Sequence, residues 1–152
     1  MEEKISFEQL TKFSQQDTEA IASLAAKLGT HNQPFSDSDL QEIIDSTNTH
    51  ILVARENDSK KIIAMVTISV YRIPYVKKAY LDDFVVDEAY RGQGVGGKLF
   101  RNALDFAKEN DAAYADFTSN PERIAGNKLY EKLGFKKRDT NVYRLEFAYG
   151  EK

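Results

Sequence analysis

The chain has 152 residues, 41% apolar and 30% charged, with 21 basic and 24 acidic residues, a net charge of −3 and no cysteine. That length suits one self-sufficient core, so a single domain over 1–152 is expected, and no second domain fits. Mixed charge leaves no electrostatic footprint for nucleic acid or an acidic membrane surface, and the missing cysteine excludes disulfides and an acyl-cysteine intermediate.

Residues 1–10 alternate charge with apolar residues, so neither a signal peptide nor a membrane span is read there and a cytoplasmic protein is expected. Lys4 to Leu10 reads as a short strand. Ser14-Gln-Gln-Asp17 can cap a helix whose Ile21, Leu24, Ala25 and Leu28 form one apolar face, with Gly29 as the stop. Thr30 to Phe35 reads as a loop. Ser36-Asp-Ser-Asp39 then caps a second helix carrying Leu40, Ile43 and Ile44.

His50 to Arg55, Lys61 to Arg72 and Ala79 to Val86 are β-rich runs that predict an antiparallel meander, with turns at Glu56 to Lys60 and around Pro74. Inside the third run, Asp82 and Asp83 interrupt an apolar strand, and strict alternation points them to opposite faces. They can pair with Lys77, Lys78 or Arg72, or one can face a site. Lys98 to Asn110 reads as an amphipathic helix and Tyr114 to Thr118 as a strand parallel to the one before it. Asn120 as N-cap and Pro121 as first residue predict a helix ending at Gly134, and Phe135 to Phe147 two further β-rich segments.

The stretch between the third strand and the long helix carries the strongest chemical signal. Arg91, Gly92, Gln93, Gly94, Val95, Gly96, Gly97 and Lys98 form a glycine-rich loop running into a helix N-terminus, where free N–H groups and the helix dipole favour a pyrophosphate. Three templates fit. Gly92, Gly94 and Gly97 match the dinucleotide fingerprint, with Asp116 placed as a ribose acid, but Asp87 to Arg91 separate the loop from its strand. Gly92 and Gly97-Lys98 match a P-loop, but Leu99 stands where magnesium needs a hydroxyl, and no metal site is read.

The third template is Arg-x-x-Gly-x-Gly, met by Arg91, Gly94 and Gly96, with Asn127-Lys-Leu-Tyr-Glu-Lys-Leu-Gly-Phe135 downstream. Over Leu81 to Phe135 the chain resembles the GCN5-related N-acetyltransferases, the GNAT family. The resemblance implies an α/β (α+β) acyl-CoA N-acyltransferase fold: a mixed, mostly antiparallel twisted sheet with helices on both faces. It further implies transfer of acetyl from acetyl-CoA to a primary amine by direct attack in a ternary complex. A non-catalytic CoA-binding sensor on the same fold is the alternative. The acceptor is a small molecule or a peptide amine, and a homodimer is compatible with the reading.

Carried over residue by residue, the resemblance assigns the main chain of Phe84, Val85 and Val86 to the pantetheine and the thioester carbonyl, with the donor inserted where their strand splays from the next. The loop from Arg91 to Lys98 takes the pyrophosphate. Asn120, Arg123, Asn127 and Tyr130 also face the cofactor, Tyr130 as proton donor to the departing thiolate; its alternative is packing alone. Asp82, or else Asp83, accepts the amine's proton. Arg123 and Gly126 depart from the family's Asn-x-x-Ala-x-x-Leu-Tyr, so Arg123 reaches either a phosphate or the acceptor. His31 and Phe35 lie in the region that commonly forms the acceptor site and could touch substrate, although a solvent-exposed loop histidine and a packing phenylalanine are the simpler readings.

Overall fold

The computed structural model describes residues 3–29 and 34–147, and the chain falls into two units, Met1–Ser119 and Asn120–Lys152. In the first unit the order is β1 (Ile5–Gln9), α1 (Gln15–Ala26), α2 (Asp37–Asp45), β2 (Thr49–Glu56), β3 (Ile62–Arg72), β4 (Lys77–Val86), a 3₁₀ turn (Glu88–Tyr90), α3 (Val95–Glu109) and β5 (Ala112–Asp116). The strands form one sheet in the order β1-β2-β3-β4-β5, antiparallel except for the parallel β4–β5 pair. Both early helices start where local chemistry dictates. The Ser14 hydroxyl accepts from Asp17 N–H at 3.1 Å, and Ser36 with Asp39 closes a reciprocal capping box.

Helices cover both faces of the sheet. Ile21 and Leu24 of α1 and Leu40 of α2 bury one layer with Ile51, Val53, Met65 and Val85. Phe35 packs against that same core, the simpler of its two readings; His31 lies outside the described residues. On the opposite face, Phe100 of α3 stacks edge-to-face on Phe84, with centroids 5.1 Å apart. Phe84 and Val86 therefore face α3, while Val85 between them faces α1.

Several expectations need correcting. The long helix starts at Val95, not Lys98, because Gly94 takes the left-handed conformation (φ 79°) as N-cap and lets Val95 begin the helix buried. Asn120 does not cap the last helix. Its side chain accepts from Glu122 N–H at 2.9 Å and its carbonyl accepts from Arg123 N–H, a turn that uses up its capping capacity. The helix α4 begins at Ile124 and runs to Lys132 in the second unit, with Arg123 as N-cap.

Residues 135–147 form no strand among the described residues. The alternation of Tyr143, Leu145 and Phe147 with Arg144 and Glu146 is strand-like, but strand propensity is realised only against a partner. Here those three apolar residues stay exposed. No helix among the described residues is long and apolar enough to cross a membrane.

Candidate active site

The end of the β4–β5 ladder defines the site. The parallel register is Lys77↔Ala112, Ala79↔Ala115 and Tyr80↔Asp116, and it stops there. β4 continues for six more residues, to Val86. Among the described residues the β5 ladder does not continue along Leu81 to Val86, so this stretch of β4 is not paired with β5. Below this gap three rings form a chain. Phe100, 1% exposed, meets Phe84 at 88° and Phe117 at 69°, the latter with centroids 5.4 Å apart.

A β-bulge shapes the same segment. Met65 pairs with Val85 and Thr67 with Asp82, so one intervening residue on β3, Val66, stands against two on β4, Asp83 and Phe84. Asp83 absorbs the mismatch at φ 52°. Alternation therefore fails at this point, and the expected opposite-face pair of carboxylates becomes one in-register residue and one bulge residue. Asp82 shares the Thr67 and Met65 face, the α1 side of the sheet. Asp82 is solvent-exposed, but partial desolvation, with the charge of Asp83 beside it, raises its carboxyl above the ordinary value. Among the described residues no ion pair joins Asp82 or Asp83 to Lys77, Lys78 or Arg72. Lys78 instead holds Asp116 at 3.3 Å.

Past Val86 the chain turns through Asp87, whose carboxylate accepts from Ala89 N–H and meets Lys61 at 3.4 Å and Lys27 at 3.8 Å. Arg91 folds back to donate to the Val86 carbonyl at 3.3 Å, and Gln93 donates to the Ala89 carbonyl at 3.1 Å. These bonds fix the loop's curvature. No side chain caps α3 at Gly94, so the first N–H groups of the helix remain free for an anion. A Cβ at Gly92 or Gly94 would meet nothing within 4 Å, whereas one at Gly96 would lie 3.2 Å from the Phe84 ring and 3.3 Å from Val86 Cγ2. The space over Gly92 and Gly94 is therefore open. Gly96 has a different task, letting α3 approach β4. Val95 is buried and can offer only its main chain, while Lys98 is exposed.

The second unit carries the other predicted residues. Asn127 donates to the Asn120 carbonyl at 3.0 Å, so both asparagines hold the turn before α4. Tyr130 is 8% exposed. Burial raises its phenol above the ordinary value, against the opposing charge of Arg123. Its neighbour across the turn is Gly126, where a Cβ would stand 3.5 Å from the Tyr130 hydroxyl.

Two features of the first unit escaped the sequence reading. The Ser119 hydroxyl is buried without a partner among the described residues, which no local pattern signals. Tyr71, Lys78, Tyr80, Tyr114 and Asp116 gather on the Asp82 face; a period-2 count along each strand would have grouped Lys78, Tyr80 and Asp82.

Comparison with known proteins agrees with this fold. The family described as "Acetyltransferase (GNAT) family" matches residues 16–135. N-acetylaspartate synthetase of Xenopus tropicalis is 43% identical over 51 residues, 34% of this chain but 19% of that protein. N-alpha-acetyltransferase RimI of Mycobacterium tuberculosis is 26% identical over 121 residues, 80% of this chain and 73% of that protein. Glucosamine-6-phosphate N-acetyltransferase from Arabidopsis thaliana shares the fold at a TM-score of 0.79 and 21% identity, covering 94% of this chain and 99% of that one. With the family matched over 120 of its 152 residues, the chain belongs to the GNAT family of acetyltransferases.

Proposed function

We propose that this protein transfers an acetyl group from acetyl-CoA to a primary amine by direct attack within a ternary complex, and that its two units act as one catalytic domain, since the family match runs across their boundary. The observation that carries the reading is the end of the β4–β5 ladder at Tyr80–Asp116, followed by a glycine loop at an uncapped helix N-terminus. The end of the β5 ladder and the glycine loop lie at the two ends of one strand segment, Leu81 to Val86. When bound, acetyl-CoA supplies an activated acetyl thioester.

The chain's residues divide the remaining work. N–H groups of Val95 to Gly97, with Arg91 and Lys98 as flanking charges, bind the pyrophosphate. Main-chain groups of Phe84, Val85 and Val86 hold the pantetheine and polarise the thioester carbonyl; a preorganised N–H donor of this kind is worth about 2.7 to 4 kcal/mol. Asp82 takes the proton that an ammonium must lose before it can attack, directly or through water, and its raised pKa suits it to a base. Tyr130, kept protonated by burial, gives a proton to the departing thiolate. Asn120, Arg123 and Asn127 support the donor from the start of α4. The balance is one C–N bond formed, one C–S bond broken and one proton released.

Thiol release on mixing the protein with acetyl-CoA and a panel of primary amines tests the proposal. Amine-dependent release supports it. Binding of acetyl-CoA with no release for any amine points to the non-catalytic sensor.

A further inference from the structure

Part of the sheet face shared by Asp82 carries a cation site that the acyl-donor reading does not use. Cross-strand partners lie on one face, so Thr67↔Asp82, Ser69↔Tyr80 and Tyr71↔Lys78 form successive rows, and the Tyr80↔Asp116 pair extends them onto β5. Lys78 Nζ lies 5.8 Å from the centroid of the Tyr71 ring, 5.4 Å from that of Tyr114 and 3.3 Å from Asp116 Oδ2. Its side chain is 18% exposed. Burial alone would lower its pKa, yet the Asp116 bond and the charges of the Tyr71, Asp116 and Tyr114 side chains raise it. Two aromatic faces and a carboxylate thus enclose an ammonium, and that ammonium belongs to the chain itself.

Along the same face, Asp116 and Asp82 are separated by two residues of strand and one strand spacing, roughly 8 Å between Cα atoms. That is about the span of a five-carbon diamine. Without Lys78 the face would present two carboxylates and three tyrosines, a site for a dication. With Lys78 in place the Asp116 end is neutralised, and only Asp82, unpaired among the described residues, is left for an incoming cation.

We propose that Lys78 is a specificity-determining residue: its tethered ammonium fills the second cation site of the acceptor face, so the protein takes a monocationic primary amine at Asp82 and refuses diamines and polyamines. The inference rests on the acetyltransferase reading of that face. Arg72 and Lys77 pair with each other across the strands one row further on, on the opposite side of the sheet, and do not contribute.

A matched pair of probes tests it, n-pentylamine and 1,5-diaminopentane, which share a carbon skeleton and differ by one ammonium. Wild type should favour pentylamine in kcat/KM by about tenfold or more, and Lys78→Met should raise the diamine about tenfold while pentylamine stays within about threefold. Lys78→Arg, which restores the charge, should behave as wild type, and Asp116→Asn in the Lys78→Met background should abolish the gain. Equal use of both amines by wild type overturns the proposal without any variant, as does an equal loss on both in Lys78→Met. Calorimetric binding of the two amines to the CoA complex gives the same ratios independently of turnover. Absence of binding by either amine overturns the inference and leaves the donor site standing. Absence of acetyl-CoA binding overturns the transferase reading instead, and the amine-binding ratio of wild type to Lys78→Met, taken on the free protein, still reads the cation site.

Discussion

Tyr80 and Asp116 form the last pair of the β4–β5 ladder, and beyond them β4 runs on beside β3 to Val86 without β5. The ring of Phe100 underlies this opening, touching Phe84 from one strand and Phe117 from just past the other. Its removal should cost about 3 to 5 kcal/mol, the usual range for a buried phenylalanine truncated to alanine. Urea titration of Phe100→Ala checks this. A loss below about 1 kcal/mol would mean that the opening does not depend on the ring.

Asp82 gives a prediction in which stability and activity move in opposite directions. A carboxyl whose pKa is raised by folding holds its proton more tightly in the native state, so its ionisation above that pKa destabilises the fold. The penalty is absent below the unfolded value, grows as pH rises from there to the folded value, and is fully present above it. Asp82→Asn removes it, and the melting temperature at pH 7 should rise. Turnover should fall by roughly 10² to 10⁴ if Asp82 is the base. Activity of the wild type should rise with pH through the Asp82 pKa, and Asp83→Asn, which removes the neighbouring charge, should move that limb to lower pH. A limb left in place by Asp83→Asn would assign it to another group.

The two central glycines of the cradle should respond differently. Gly94 sits at φ 79° with open space around its missing Cβ, so Gly94→Val strains the backbone by roughly 1 to 2 kcal/mol and fills the anion's position. Gly96 stands 3.2 to 3.3 Å from Phe84 and Val86 through its missing Cβ, so Gly96→Val pushes α3 off β4 and should lower the melting temperature further. CoA-induced thermal shifts measure the difference. The Gly94 variant should lose most of its CoA shift while remaining folded, and a full shift in that variant would remove the pyrophosphate from the loop.

Tyr130→Phe keeps the ring and removes the hydroxyl. If the phenol protonates the leaving thiolate, turnover should drop by roughly 10² to 10⁴ with acetyl-CoA affinity nearly unchanged. The deficit should shrink at lower pH, where solvent supplies the proton. Normal turnover across the pH range would leave Tyr130 as packing.

The local parts of this architecture were legible before any coordinates. Ser14 and Ser36 announce their helices because a cap needs only three or four neighbouring residues, and the apolar rows of α1 and α3 follow from period alone. The bulge at Asp83 was not legible, since it exists only in the register of β4 against β3. Asn120 could cap a helix or close a turn, and the choice went to Glu122 N–H and Arg123 N–H. The enclosure of Lys78 needs Tyr71 and Tyr114 from two other strands, a juxtaposition no window of sequence contains. The glycine loop was visible as chemistry, but the separate task of Gly96 appears only when α3 is laid against Phe84 and Val86.

Amide hydrogen exchange with and without acetyl-CoA tests the central claim most directly, because it reads the β4 edge and the cradle in one experiment. The account predicts slower exchange on binding at Phe84 to Val86 and at Gly92 to Lys98, with NAD and ATP giving neither effect. Acetyl-CoA binding that slows exchange elsewhere and leaves both segments unchanged would contradict it.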